Sequence, residues 1–273
     1  MSSNVFEART IKSIFFKYLF ETVKGYIKDL NFVFTPEGIR ITKQDSSDMW
    51  ITYTFLGAEN FESFFCKSKY IIGIEVSEFY KLIKNVNVKD SITLSLEQDS
   101  PTHLCVSLEN SSQGKIKKYN LPVLFLDDKP FKLSDIQSDH CISLPSKTFQ
   151  EIIKEMSGFG SDRIEITSYS QQLVFTNHGD KTKLSSEITL RQIAPSENEI
   201  VDDNVKRITY TQSSDAIIKG DFSLHYLNYF IKATSMSPYM KIYIENDKPL
   251  ILEWNIGDLG VFRVVLMIKE KQV

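Results

Sequence analysis

Residues 73–97 and 220–245 state one layout twice, and this constrains the fold more than any single motif. Each runs from an apolar pair and a glycine (Ile71-Ile72-Gly73, Ile217-Ile218-Lys219-Gly220) into an extended piece, a short helix and a strand. The helices end on Ile83-Lys84 and Ile231-Lys232, and from each lysine the count to the glutamate closing the next strand, Glu97 or Glu245, is the same. Such a chain is expected to fold as a pseudo-symmetric pair of similar units.

Length agrees, since 273 residues suit two domains of about 130 each. A hydrophobic share of 42% with 25% charged residues is that of a soluble globular chain, and 19 Phe and 12 Tyr give both halves material for a core. The net charge of −3 argues against a protein that coats nucleic acid indiscriminately, so any basic surface must be local. Three scattered cysteines, Cys66, Cys105 and Cys141, have neither disulfide-framework nor zinc spacing, which points to a reducing compartment. The first nine residues lack the apolar core of a signal peptide, and no apolar run reaches the roughly 18 residues of a membrane span. A soluble intracellular protein is expected.

Strand character dominates. Residues 31–34, 38–43, 50–55, 69–75, 91–96 and 103–108 are rich in β-branched and aromatic side chains, as are 163–167, 173–177, 184–191, 206–212, 240–244, 250–256 and 261–267. Only four segments have helical periodicity: 10–24, 77–85, 146–157 and 223–232. Each opposes an apolar arc to a polar face carrying a basic residue. Ile11, Phe15, Phe16, Leu19, Phe20 and Val23 make the first arc. Ser77, Ser146 and Ser223 are the expected N-caps. The stretch 122–134, with two prolines and Asp127-Asp128, reads as a connector between a domain of residues 1–121 and one of 135–273.

No nucleophile elbow, phosphate-binding loop or His-Glu-x-x-His motif is present, and His140-Cys141 in an extended segment would point to opposite faces. The expectation is no catalysis, no cofactor and no metal. What remains is lysine on every helix of a net acidic chain. A lysine on the wet side of one helix is ordinary. On all four, gathered on one surface, lysines would suit a phosphate backbone without reading bases.

Several segments carry a family resemblance: Val5-Phe6-Glu7-Ala8-Arg9, Gln44-Asp45-Ser46-Ser47, the run 222–234 (Phe-Ser-Leu-His-Tyr-Leu-Asn-Tyr-Phe-Ile-Lys-Ala-Thr), Lys248-Pro249-Leu250 and Ile256-Gly257-Asp258-Leu259-Gly260. Over nearly its whole length the chain resembles the proliferating cell nuclear antigen (PCNA) family of sliding DNA clamps. The resemblance implies an α+β DNA clamp fold of two similar domains, each with two helices backing antiparallel sheets, closed head to tail into a homotrimeric ring. Double-stranded DNA would thread the ring without sequence preference. The lumen contacts it implies are Lys17, Lys24, Lys81, Lys84, Lys154 and Lys232. On the third helix Glu151 stands where the family is basic, and Lys147 one turn earlier is the expected compensation.

The same resemblance implies a partner-peptide pocket of Gln44, Met49, Ile51, Phe131, Leu133, Pro249, Val265, Leu266, Met267 and Ile268. Val265 replaces an aromatic residue, Met267-Ile268 replaces Ala-Pro, and Asp48 stands where histidine is common. Ring closure would bring Lys115, Lys117 and Tyr119 of one subunit to Lys183, Ser185 and Glu187 of the next. Implied partners are a DNA polymerase, other proteins bearing a clamp-binding peptide, and an ATP-dependent clamp loader, in the nucleus or a viral replication compartment. The competing readings are a monomeric clamp-like processivity factor, which would need a larger basic excess, a subunit of a heterotrimeric checkpoint-type clamp, and an unrelated enzyme.

Overall fold

The structure, a computed structural model, describes residues 4–98, 102–127, 140–177, 185–192, 208–210 and 216–268. The chain divides into two compact units. The first comprises Met1–Lys43, Thr52–Leu133 and Asn255–Phe262; the second Gln44–Ile51, Ser134–Trp254 and Arg263–Val273.

The first repeat runs β1 (Asn4–Thr10), α1 (Ser13–Val23), β2 (Asp29–Thr35), β3 (Gly38–Gln44), β4 (Trp50–Gly57), β5 (Ser63–Cys66), β6 (Tyr70–Glu75), α2 (Val76–Ile83), β7 (Asp90–Glu97), β8 (His103–Asn110) and β9 (Lys115–Pro122). Its strands take the sheet orders β5-β1-β7-β8-β9 and β4-β3-β2-β6. Alternation makes the sheets one-sided: Leu104, Val106 and Leu108 of β8 are buried while their neighbours are not. Phe6 of β1 stacks on Phe34 of β2 with ring centroids 3.8 Å apart, and Phe20 of α1 meets Phe79 of α2 at 4.4 Å. Burying each such ring contributes about 1.5–3 kcal/mol.

The second repeat runs β10 (Cys141–Pro145), α3 (Ser146–Ser157), β11 (Arg163–Tyr169), β12 (Gln172–Asn177), β13 (Ser186–Arg191), β14 (Thr209–Tyr210), β15 (Ile218–Ser223), α4 (Leu224–Phe230), β16 (Tyr239–Tyr243), β17 (Leu250–Ile256) and β18 (Gly260–Leu266). The orders β14-β10-β16-β17-β18 and β13-β12-β11-β15 copy those of the first repeat strand for strand. Registers are copied too. Asp29 faces Glu75 as Arg163 faces Ser223, and Thr35 faces Gly38 as Tyr169 faces Gln172. The repeat seen in the sequence is β6-α2-β7 and β15-α4-β16.

Four expectations need correction. The first helix begins at Ser13, not Thr10: Thr10 closes β1, and Ile11, assigned to the apolar arc, lies outside the helix and 56% exposed. Ser77 and Ser146 are not N-caps, because strands run straight into these helices. Glu75 and Pro145 take the cap positions with extended backbone. Ser223 does occupy its cap position but makes no side-chain cap bond. The fourth helix changes after Phe230 to a 3-10 turn, Ile231–Ser235, which carries Lys232.

The connector begins where Pro122 ends β9. Leu124 N–H then donates to Gly73 C=O over 2.8 Å, covering the outer edge of β6. Gly73 permits this approach, since a Cβ there would sit 2.3 Å from Leu124 O. In the second unit the edge of β15 is met instead by Asn246, whose amide accepts from Lys219 N–H (2.9 Å) and donates to Ile217 C=O (3.1 Å).

Candidate functional site

Both units carry a two-helix layer. In the first, Phe16, Leu19 and Phe20 of α1 and Phe79 and Ile83 of α2 are buried, which turns the lysines outward. Lys24, Lys81 and Lys84 are exposed and Lys17 half-exposed. Their electrostatic settings differ. Lys24 Nζ lies 3.7 Å from the centroid of the Tyr80 ring, a cation–π contact that links α1 to α2, and Tyr80 donates its hydroxyl to Glu21 over 3.2 Å. Lys81 pairs with Glu78 one turn earlier, and that carboxylate raises its pKa. Lys17 and Lys84 have no carboxylate partner among the described residues.

In the second unit Phe149, Ile152, Ile153 and Met156 bury one face of α3 and leave Lys147, Glu151 and Lys154 exposed. Lys147 Nζ stands 3.8 Å from Glu151 Oε1. The lysine expected to compensate for Glu151 is thus drawn to it, and the pair presents little net charge. Lys154 and Lys232 have no carboxylate partner among the described residues. Gln150 donates to the Ile231 carbonyl (3.0 Å), and Asn228 to Ser157 Oγ (2.7 Å), fastening α4 and its 3-10 extension to α3. The outer face of α4 also carries a ring cluster that the lysine count missed. His225 Nε2 and Tyr229 OH are 2.7 Å apart, and Tyr226 OH lies 3.3 Å from Ser47 Oγ.

The described residues of the expected peptide pocket belong to the second unit. They fall into two groups. Gln44 is exposed, and Met49, Pro249, Met267 and Ile268 are half-buried, so these can offer surface. Ile51, Val265 and Leu266 are 3%, 7% and 0% exposed and chiefly fill the core. Met267 N–H donates to Met49 C=O over 2.9 Å, bringing the two methionines together. Gln44 donates its amide to Asp48 over 2.8 Å, with Asp48 at φ +58°, so the residue in the usual histidine position engages the glutamine. Phe131 and Leu133 lie outside the described residues.

Of the expected interface residues, Lys115 is exposed and Lys117 and Tyr119 are half-buried along β9. Ser185 and Glu187 are exposed at β13, and Lys183 lies outside the described residues. β9 and β13 each have one strand neighbour among the described residues and end their sheets. No group of three or more His, Cys, Asp or Glu is placed to hold a metal among the described residues.

Elsewhere in the second unit, Glu253 is 5% exposed and accepts from Arg263 Nε at 2.6 Å and Lys241 Nζ at 3.3 Å. His140 is buried with Nε2 2.8 Å from Ser168 Oγ. Burial pushes its pKa below the ordinary histidine range, with Glu245 partly opposing.

The N-terminal-domain model of proliferating cell nuclear antigen matches residues 5–130, and the C-terminal-domain model matches residues 132–269. A relative from Paramecium bursaria Chlorella virus 1, described as "Probable DNA polymerase sliding clamp 1", is 29% identical over 262 residues, covering 96% of each chain. With both domain models matched in order, and the fold repeated as each requires, this chain belongs to the proliferating cell nuclear antigen family and has its α+β DNA clamp fold.

Proposed function

We infer that this chain is a DNA polymerase sliding clamp: a non-catalytic processivity factor that holds replication enzymes on duplex DNA by encircling it. Three copies close head to tail, so that the two-helix layers of all six units line the hole. The observation that carries this reading is the placement of charge. On a chain of net charge −3, Lys17, Lys84, Lys154 and Lys232 occupy the outward faces of both helix layers without carboxylate partners among the described residues. Unpaired, solvated lysines attract phosphates along their whole length and select no base, which permits sliding.

Lys24 and Lys81 add contacts modified by their neighbours, while the Lys147–Glu151 pair leaves one turn of the lumen nearly neutral. A polymerase peptide would dock on the second unit at Gln44, Met49, Pro249, Met267 and Ile268. A closed ring cannot thread internal DNA, so an ATP-driven loader is required. The place of action is wherever the genome is copied, nucleus or viral replication compartment. The test is a variant with Lys17, Lys84, Lys154 and Lys232 changed to alanine. Its processivity with a cognate polymerase should fall severalfold with assembly unchanged; undiminished processivity would refute the lumen assignment.

A further inference from the structure

β5 ends its sheet, and the bonding that fixes it leaves part of its backbone without a partner. It pairs with β1 alone among the described residues, Ala8 facing Phe64 and Glu7 facing Phe65. Just past the strand, Lys67 N–H donates to Val5 C=O over 3.4 Å in the same register. Bonded pairs recur at every second residue of an antiparallel ladder, so Phe65 and Ser63 also turn their backbone toward β1. Phe64 and Cys66 turn N–H and C=O to the open side, where neither has a backbone partner among the described residues.

An exposed ring is uncommon on an open edge, where it invites pairing. Phe65 is 52% exposed on the outward face, which Ser63 and Lys67 share. The fold does not call for a ring there. In the second repeat Ile142 occupies the place of Ala8: Ala8 faces Leu94, three residues before Glu97, and Ile142 faces Ile242, three before Glu245. Ile142 faces Tyr210 as Ala8 faces Phe64, and the residue after Tyr210 in the sequence is Thr211. Aromatic character is repeated at Phe64 and Tyr210 but not at the next position.

The free charge at this edge has one sign. Lys67 and Lys69 are exposed and have no carboxylate partner among the described residues. The acids near them are engaged elsewhere. Glu7 accepts from the Asn4 amide over 2.8 Å, Glu62 accepts from Ile11 N–H over 2.9 Å, and Glu37 lies toward Thr35 and Arg40.

We propose that the open side of β5 receives an extended segment of a partner protein, which adds an antiparallel strand to the sheet β5-β1-β7-β8-β9. Phe64 and Cys66 supply the backbone bonds, Phe65 packs against an apolar side chain of the partner, and Lys67 meets an acidic one. Side chains on one face of a strand repeat every second residue, so the acidic residue stands two positions before the apolar one. A second copy of β5 would bring the same lysines and no free carboxylate, so the occupant that complements this edge is a different, acidic chain. The surface belongs to the first unit and shares no residue with the candidate pocket or the helix faces.

The test uses full-length protein and a labelled synthetic peptide of strand-forming residues, with a glutamate two positions before a phenylalanine. Fluorescence polarisation should show saturable binding. Amide exchange at Phe64 and Cys66 should slow on saturation, while Phe65, already bonded to β1, changes little. Phe65→Ser should weaken binding about fivefold without lowering the melting temperature, since the ring is a surface group. Lys67→Glu should weaken it similarly, and a peptide with lysine in place of its glutamate should restore binding to that variant. Absence of binding, unslowed Phe64 and Cys66 amides, or affinity indifferent to Phe65→Ser and to the charge exchange would each overturn the proposal. Slowing of those amides with rising protein concentration and no peptide would overturn the acidic partner in favour of a second copy.

Discussion

Lys147 and Glu151 are one helical turn apart on α3, with Nζ 3.8 Å from Oε1. The pair is exposed, so it contributes little to stability. Its effect is on the field that α3 presents. Replacing Glu151 with lysine releases Lys147 and adds a cation. The expected result is tighter non-specific duplex binding, with a plot of log affinity against log salt steeper by about one unit for each additional phosphate engaged. Titration by fluorescence anisotropy at several salt concentrations measures it; an unchanged slope would mean that this turn of α3 does not face DNA.

The Lys24–Tyr80 contact couples the two helices of the first unit. Tyr80→Leu keeps an apolar side chain but removes the ring face and the hydroxyl bonded to Glu21. A double-mutant cycle of Lys24→Met and Tyr80→Leu in urea melts should return a coupling of about 0.5–1 kcal/mol. Additive effects would show that the lysine gains nothing from the ring.

At Gly73 a methyl group would meet the Leu124 carbonyl at 2.3 Å, and backbone cannot move as a flexible side chain can. Gly73→Ala should break the bond holding the start of the connector to β6. A loss of about 1–3 kcal/mol and faster proteolysis just after Pro122 are expected. Wild-type cleavage rates would show that the connector is held by other contacts.

His140 adds a pH dependence of known sign. Its folded pKa is depressed by burial, so the unfolded chain takes up the proton more readily. The stability it contributes is present above the unfolded value, about 6.5, and is lost as pH falls through that value toward the lower folded one. Thermal melts of wild type and His140→Gln between pH 7.5 and about 5 should diverge, the wild type losing more. Parallel curves would show that His140 does not carry this dependence.

The legible part of this fold was its repetition. The repeated strand, helix and strand of β6-α2-β7 and β15-α4-β16, and the alternation of β8, follow from side-chain periodicity, whereas the change of α4 to a 3-10 turn before Lys232 does not. Less legible were features set by tertiary contact. β5 is a four-residue edge strand, Ser63–Cys66, whose exposed positions, Ser63 and Phe65, alternate with more covered ones although its residue types, Ser-Phe-Phe-Cys, show no apolar–polar alternation. The caps at Ser77 and Ser146 were misplaced because serine preference reports how a loop enters a helix, and here strands enter directly at Glu75 and Pro145. In the candidate pocket the sequence did not separate Met49 and Met267, which offer surface, from Ile51 and Leu266, which do not, since all four are apolar and each methionine lies within two residues of its buried neighbour in the chain.

The ring itself is the central claim, and the mass in solution tests it most directly. Light scattering after size exclusion, across micromolar concentrations, should give three times the 31.5 kDa of one chain. A mass of one chain throughout that range would contradict the account.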